Sequence, residues 1–357
     1  MTKSLTAMAI VKLRDDDKLR LDDPVHQYIP ELRATNLLTS DAPTITIRHL
    51  LTQTAGMPED DPWADRQLAL TDAELLTMLS KGISLSNPPD ITWEYNNIGF
   101  AMLGRIIAEY AEAPPEQLAR GYRWEHGQFS EERLLHDGAY GAMGGLISSI
   151  EDFCKYISYH LQAWPPRTGP DYGPLRRSSL REMQHPSSFI ELISKKHRSC
   201  PVTSAYGYGL VWSKDFDGLV SVSHSGGLPG FGSNWTILPE HGIGLVSYAN
   251  CTYAHLDLVN AMIIDEVVTL ADLTRRQLPV PKTLAERKQQ IITLLLNGNW
   301  NIDDIQLPLI FAENFFLDQS LELRKKNSQE LFNRAGTILN VGELIPKNQL
   351  RGRFDIE

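Results

Sequence analysis

The chain has 357 residues, 42% of them hydrophobic and 22% charged, which is enough to bury the core of one large domain or two moderate ones. Its formal charge of −10 argues against nucleic acid as a partner, since such binders carry a basic stripe. Cys154, Cys200 and Cys251 are widely spaced and form no CxxC pair, which argues against a zinc knuckle, a thioredoxin-like site and a disulfide scaffold, so all three are expected as free thiols.

No run of about 18 apolar residues occurs, so no transmembrane helix is expected. The apolar run Leu5 to Val11 is short, is interrupted by Lys12 and has no small-residue cleavage site after it. It reads as a helix and not as a signal peptide, and the chain is expected to be soluble.

In chain order, residues 3–14 have helical periodicity, with Leu5, Met8, Ala9 and Lys12 marking one face. Asp15 to Asp17 end that helix in solvent, and Asp23-Pro24 close a short extended piece. Thr46 is placed to cap a helix through His49, Leu50 and Leu51 that ends before Gly56. Thr71 and Glu74 form a capping box for DAELLTMLSKG, with Gly82 as its C′ residue. Residues 97–112 predict an amphipathic helix stopped by Pro114-Pro115. Ser148 and Glu151 make a second capping box, opening IEDFCKYISYHL.

The texture changes near residue 205. YGYGLVWS, LVSVSHSG, GSNWTILP and GIGLVSYAN are short β-rich runs separated by Gly, Pro and Asp turns, as in an antiparallel meander. A helix is predicted at about 255–273. QLPVPKT at 277–283 is a Pro-rich break. Beyond it come a helix over 284–296 and an irregular tail whose NQLRGRF reads as the start of a strand. This order predicts an α/β or α+β body: an antiparallel sheet flanked by helices, with a helical subdomain. The body is expected over 1–275, a linker over 276–283 and a C-terminal extension over 284–357.

Three short motifs carry the chemistry together. Met1-Thr2-Lys3 heads an amphipathic helix. WEYNN contains Tyr95-Asn96-Asn97. HSGG, from His224 to Gly227, ends a predicted strand. With the flanks MTKSLTAMAI, LDDPV, ITIRHLLTQTAGMP, WEYNNIGFAMLGRII, GAMGGLISSIEDF and HSGGLPGFGSNW, the sequence resembles the β-lactamase family over about residues 1–272. That family includes class C β-lactamases, DD-peptidases, D-aminopeptidases and related esterases.

The resemblance implies a β-lactamase/transpeptidase-like fold and acyl-enzyme chemistry on a small ester, peptide or β-lactam-like substrate, with no cofactor and no metal. The family's first motif is Ser-x-x-Lys, in which residues three apart share a helix face. Lys3 matches the lysine that helps deprotonate the serine, with Met1 and Thr2 as spacers. The nucleophile would then stand immediately before Met1. Ser4 follows the lysine, one turn deeper, and reads as a polar helix residue. Tyr95 matches the family's general acid/base, against the plainer reading of a buried aromatic before a helix. Asn97 would bind substrate or fix Lys3, or cap the following helix.

His224-Ser225-Gly226 occupies the place of the family's Lys-Thr-Gly. Histidine lacks the permanent charge that suits a substrate carboxylate, which leans the reading toward esters or peptides. Gly226 and Gly227 permit close backbone approach, and the N–H of Gly227 is by resemblance an oxyanion donor. The plainer reading is a glycine hairpin. His49 reads as a packing or capping residue. His136-Asp137 precede a Gly-rich loop without the strand–loop–helix context of a phosphate site. His185, His197 and His255 show no ligand spacing.

Three departures from the family follow. The serine, the opening helix and two sheet strands that precede it in the family are not in the sequence, so an N-terminally incomplete domain with an exposed sheet edge is expected. The stretch between Tyr110 and Gly121 is shorter than in relatives, which alters the pocket wall. The tail resembles only the beginning of the accessory β domain of some esterase-like members. Two further readings stay open: a catalytically inactive relative that binds through the same pocket, and a β-lactamase or DD-peptidase.

Overall fold

A computed structural model describes residues 1–34, 38–59, 67–107, 119–133, 135–193, 201–296, 311, 314–336, 338–348 and 350–357. The expectations for the shortened stretch after Tyr110, the Pro114-Pro115 stop, His197 and Cys200 lie outside these residues. Two compact units are present, Met1–Arg275 and Arg276–Glu357. Among the described residues no helix is long and apolar enough to cross a membrane.

The first unit opens with helix α1, Thr2–Asp15. Its buried face is not the Leu5–Met8–Ala9–Lys12 stripe expected from periodicity. Lys3, Ser4, Thr6, Ala7, Ile10 and Val11 point inward instead, toward α4 (Ile98–Ile107) and α5 (Gly141–Gly144). Leu5 and Met8 are partly buried at the margin of the core. A polar inward face is tolerable because its groups are bonded. Thr6 Oγ1 donates to Ala142 O at 2.6 Å and Ser4 Oγ to Met1 O at 2.9 Å.

Local signals set the next helices. In α2, Ile47–Leu51, Thr46 accepts from the His49 N–H while His49 Nδ1 accepts from the Thr46 N–H at 3.2 Å. His49 is thus a capping residue. The Thr71–Glu74 box opens α3, Asp72–Ser80, and Gly82 follows with φ +87°. For α6, Ile150–Leu161, the cap is one residue later than the expected Ser148–Glu151 box: Ser149 accepts from the Asp152 N–H at 3.1 Å. Ser149 is the last extended residue, with ψ 161°, whereas the Ser148 hydroxyl donates to Ser149 O. A further short helix, α7, spans Arg177–Met183.

Two elements were not legible in the sequence. Strands β1 (Tyr122–Glu125) and β2 (Gln128–Glu131) form a hairpin, turned by His126 and Gly127 at φ +51° and +80°. That is the two-residue turn whose twist matches the strands. Strand β3, Ser188–Ile193, starts the main sheet upstream of the expected change near residue 205.

That sheet is an antiparallel meander in the order β3-β4-β5-β6-β7-β8. The other strands are β4 Val202–Tyr206, β5 Val211–Lys214, β6 Val220–Leu228, β7 Phe231–Leu238 and β8 Ile243–Ala249. Successive side chains on a strand face opposite sides. On β7, Trp235 packs against Phe153, Tyr156 and His160 of α6. Its neighbour Asn234 meets Asn260 of helix α8, Leu256–Leu270. The two helices therefore cover opposite faces, and the antiparallel sheet is flanked as the sequence predicts.

The second unit holds α9 (Lys282–Leu296), helices Phe315–Asp318 and Leu321–Ala335, and the strand pair β9 (Ile345–Pro346) and β10 (Gly352–Arg353). The tail is therefore not irregular throughout. Ser320 caps the helix Leu321–Ala335 by accepting from the Leu323 N–H, and the NQLRGRF segment supplies β10. Cys154 and Cys251 are free thiols.

The hairpin β1–β2 is pinned by a backbone contact. A Cβ on Gly121 would stand 2.6 Å from Gly230 Cα and 2.9 Å from Gly230 O. Replacing Gly121 with Ala is expected to cost about 1–3 kcal/mol, the usual penalty of overpacking. Urea unfolding measures it, and a variant as stable as the parent would show that the hairpin docks loosely.

Candidate active site

The centre of the site is Lys3. Its side chain lies on the first turn of α1 and is 2% exposed. Nζ donates to Asn97 Oδ1 at 2.5 Å. It lies over the Tyr95 ring, 4.7 Å from its centroid, and 5.6 Å from that of Phe100, both within cation–π range.

The loop before α4 positions Tyr95 and Asn97. Asn96 Oδ1 accepts from the Gly99 N–H at 2.9 Å, so the side-chain cap of α4 comes from Asn96, while Asn97 reaches Lys3. Gln53 grips the same loop from the other side. Its Nε2 donates to Asn96 O at 3.0 Å and its Oε1 accepts from the Asn96 N–H at 3.2 Å. Gln53 O also accepts from the Glu94 N–H at 2.9 Å. Gln53 is buried and holds φ +59°, a left-handed conformation unusual for a non-glycine residue.

The opposite wall is the end of β6. His224 is 6% exposed. Its Nδ1 lies 2.5 Å from Ser225 O. A carbonyl only accepts, so Nδ1 carries the proton. Burial, helped by nearby positive charge including Lys3, holds His224 well below the ordinary histidine value. The ring is therefore neutral, and Nε2 faces the Tyr206 hydroxyl at 3.4 Å as an acceptor. Tyr206 is itself fully buried, which pushes its phenol well above the usual range and keeps it a donor.

Ser225 Oγ accepts from Asn234 Nδ2 at 2.9 Å. A Cβ on Gly226 would come 2.6 Å from Ser233 Oγ and 3.2 Å from Met1 N, and one on Gly227 would come 2.7 Å from Tyr253 Cδ1. Close packing thus requires both glycines. All seven residues singled out from sequence (Lys3, Tyr95, Asn97, His224, Ser225, Gly226 and Gly227) lie on α1, the loop before α4 and the end of β6. Ser4, by contrast, is fully buried. Among the described residues no group of three or more His, Cys, Asp or Glu is placed to hold a metal ion.

The β-lactamase family model matches residues 1–121 and 109–269. The chain belongs to the β-lactamase family. Among curated relatives of this family member, Protein flp of Staphylococcus aureus is 24% identical over 318 residues, covering 83% of this chain and 60% of its own length. Unguisins hydrolase ungD' of Aspergillus campestris is 24% identical, covering 71% of this chain and 52% of its own length. The chain thus spans little more than half the length of these relatives.

Solved structures show the same β-lactamase-type fold. The octameric penicillin-binding protein homologue from Pyrococcus abyssi superimposes with TM-score 0.57 at 22% identity, over 74% of this chain and 64% of that one. A D-stereospecific amidohydrolase from Streptomyces sp. gives TM-score 0.52 at 21% identity, over 73% and 84%.

Sequence reasoning missed Gln53, Tyr206 and Tyr253. Tyr206 sits in YGYGLVWS, which reads only as a strand. A buried glutamine before TAG carries no local signal, because its partner lies 43 residues away.

Two predictions follow from this β-lactamase-type site. Asn97→Leu leaves the buried Lys3 ammonium without its amide acceptor, whereas Lys3→Met removes the charge as well. The double variant should therefore lose less than the sum of the single losses, with a coupling of about 1–3 kcal/mol. Chemical unfolding of the four proteins measures it, and simple additivity would show that the pair is energetically idle.

The second prediction concerns pH. His160 is buried and lowered to about 3 by desolvation, and His224 is also lowered. Both bind protons more readily once unfolded, so stability is full above about pH 6.5 and falls as pH drops toward the folded values. Each contributes up to about 1.4 kcal/mol per pH unit. Urea unfolding from pH 7.5 to 5 should show this fall, and His160→Gln should make it shallower. An unchanged slope would exclude His160 as a source.

Proposed function

We propose that this site performs acyl transfer as part of a serine hydrolase acting on an ester or a small peptide amide. The observation that supports this most is the Lys3–Asn97 contact at 2.5 Å with the Tyr95 ring beside it. It sets an amine and a half-buried phenol side by side at the head of a helix, opposite the Gly226–Gly227 backbone. The nucleophile in this reading is a serine immediately before Met1, one helical turn from Lys3 on the same face.

In that arrangement Lys3, reacting as the free amine, takes the proton that leaves the serine hydroxyl as it attacks the carbonyl carbon, and replaces the proton that Tyr95 gives up. Tyr95 then delivers a proton to the departing alkoxide or amine. The Gly227 N–H stabilises the oxyanion. Water completes the cycle by attacking the acyl-enzyme, with the same groups taking its proton. Asn97 holds Lys3 in place throughout.

The neutral state of His224 bears on substrate class. A buried imidazole bonded to Ser225 O and to Tyr206 offers no cation to a substrate carboxylate. This supports uncharged acyl groups over penicillin-like substrates and separates the reading from a β-lactamase or DD-peptidase.

The test is an intact-mass measurement on the protein from its native source, before and after a serine-reactive phosphonate. The expected result is one adduct on the serine preceding Met1. In that protein Tyr95→Phe should lower kcat for a simple ester by about 10²–10⁴-fold. Any other residue before Met1, or no adduct, would overturn the hydrolase and leave a binding protein.

A further inference from the structure

At the Gly227 end of the site, an aromatic surface begins and continues onto the β1–β2 hairpin. Its first member is Tyr253, whose ring packs on Gly227: a Cβ there would stand 2.7 Å from Tyr253 Cδ1. Tyr253 holds φ +50°, a left-handed backbone that is an outlier for a bulky aromatic residue. Strain of this kind persists where the surroundings enforce it, and it collects at ligand sites. The Tyr253 N–H donates to Phe231 O at 3.2 Å, and the residue is still 41% exposed.

The segment before Tyr253 anchors the hairpin. The Tyr122 N–H donates to Asn250 O at 3.0 Å, and Tyr122 O accepts from the Thr252 N–H at 2.7 Å. Thr252 Oγ1 accepts from the Gly230 N–H at 2.8 Å. The hairpin base, the turn between β6 and β7, and Tyr253 are therefore one hydrogen-bonded unit. Tyr122 and Trp124 alternate onto one face of β1, and Phe129 stands directly opposite Trp124 on β2. Their rings meet in series, Tyr122 to Phe129 at 6.4 Å and Phe129 to Trp124 at 4.6 Å between centroids. Trp124 is 55% exposed and Phe129 64%. The other face is polar, with Arg123 Nε donating to Glu132 Oε1 at 2.5 Å. A cross-strand aromatic pair holds a hairpin together by itself, but it gives no reason for a strained, exposed tyrosine on Gly227.

We infer that this surface receives an aryl group on the acyl side of the substrate. The inference rests on the acyl-transfer reading for one point: the Gly227 N–H holds the carbonyl oxygen, so the acyl substituent is the part nearest Tyr253. Aromatic rings take up another ring edge-on or offset, a fit that a saturated group does not reproduce.

The test is an NMR titration of the full chain with three sulfones, whose oxygens accept a hydrogen bond but which acyl transfer cannot cleave. Benzyl methyl sulfone carries the ring, cyclohexylmethyl methyl sulfone is apolar without a π-face, and dimethyl sulfone has neither. The benzyl compound should bind at least about 10-fold more tightly than dimethyl sulfone and about 3-fold more tightly than the cyclohexyl one. Trp124→Ala/Phe129→Ala and, separately, Tyr253→Ala should each cut the preference for benzyl over dimethyl sulfone by about 3-fold or more. The comparison of the three compounds on the unmodified protein stands even where a variant disturbs the hairpin. No binding of the benzyl compound, equal binding of the cyclohexyl or dimethyl compound, or a preference untouched by both variants would each overturn the inference. Sulfone binding needs no nucleophile, so the two readings fail separately. Absence of a phosphonate adduct with the aryl preference intact would remove the hydrolase alone, and an adduct without that preference would remove the aryl subsite alone.

Discussion

Taking the ammonium of Lys3 out of water creates a cost that only oriented polar groups can offset. Asn97 Oδ1 and the faces of Tyr95 and Phe100 provide them. The demand propagates outward. Asn97 can face Lys3 because Asn96 caps α4. Asn96 is held because Gln53 bonds both sides of its peptide backbone. Helix α1, in turn, rotates its polar face inward and leaves Leu5 and Met8 at the margin. The first turn of one helix thus dictates the conformation of a loop more than ninety residues away in sequence.

The sheet gives the other wall two unlike backings. On the Trp235 side of β7 lies an aromatic cluster of Phe153, Tyr156 and His160. Within it, His160 Nε2 and Trp235 Nε1 find no hydrogen-bond partner among the described residues. On the Asn234 side a closed polar network runs through Asn260 to Ser247. Asn260 Nδ2 donates to Asn234 Oδ1 at 2.7 Å, and Ser247 Oγ donates to Asn260 Oδ1 at 2.5 Å. Because Asn234 Nδ2 also reaches Ser225, that network extends from α8 to the β6 motif. Satisfied buried polar chains of this kind fix one geometry more sharply than apolar packing does.

What the sequence made legible was local. Thr46, Thr71 and Gly82 act as their types and spacings predict, because capping needs only neighbours within one turn. The β-rich runs from Tyr206 onward are short and set apart by Gly, Pro and Asp turns, and they pair as a meander. The misses share a cause. Ser148 and Ser149 are chemically equivalent caps, and only the backbone entering α6 chooses between them. The face that α1 buries is decided by its partners α4 and α5, not by its own stripe of leucine and methionine. Strand β3 and the β1–β2 hairpin bury none of their residues, and β3 carries Phe189, Ile190, Leu192 and Ile193 without the strict alternation that marks a half-buried strand. In the site, Lys3, Tyr95 and Gly226–Gly227 were legible as motifs, whereas Gln53 and Tyr206 act through contacts that no local pattern encodes.

Gln53 combines two properties that rarely coincide. Its left-handed backbone stores strain on the order of 1–3 kcal/mol, and its amide carries the two bonds that hold Asn96. Glycine at this position would relax the backbone and release the grip. Selection for a more robust fold and selection for a well-held Tyr95–Asn97 loop therefore pull this residue in opposite directions. A laboratory lineage evolved only for heat resistance would be free to drift away from glutamine here, and would surrender the organisation around Lys3 without any visible change in its overall shape.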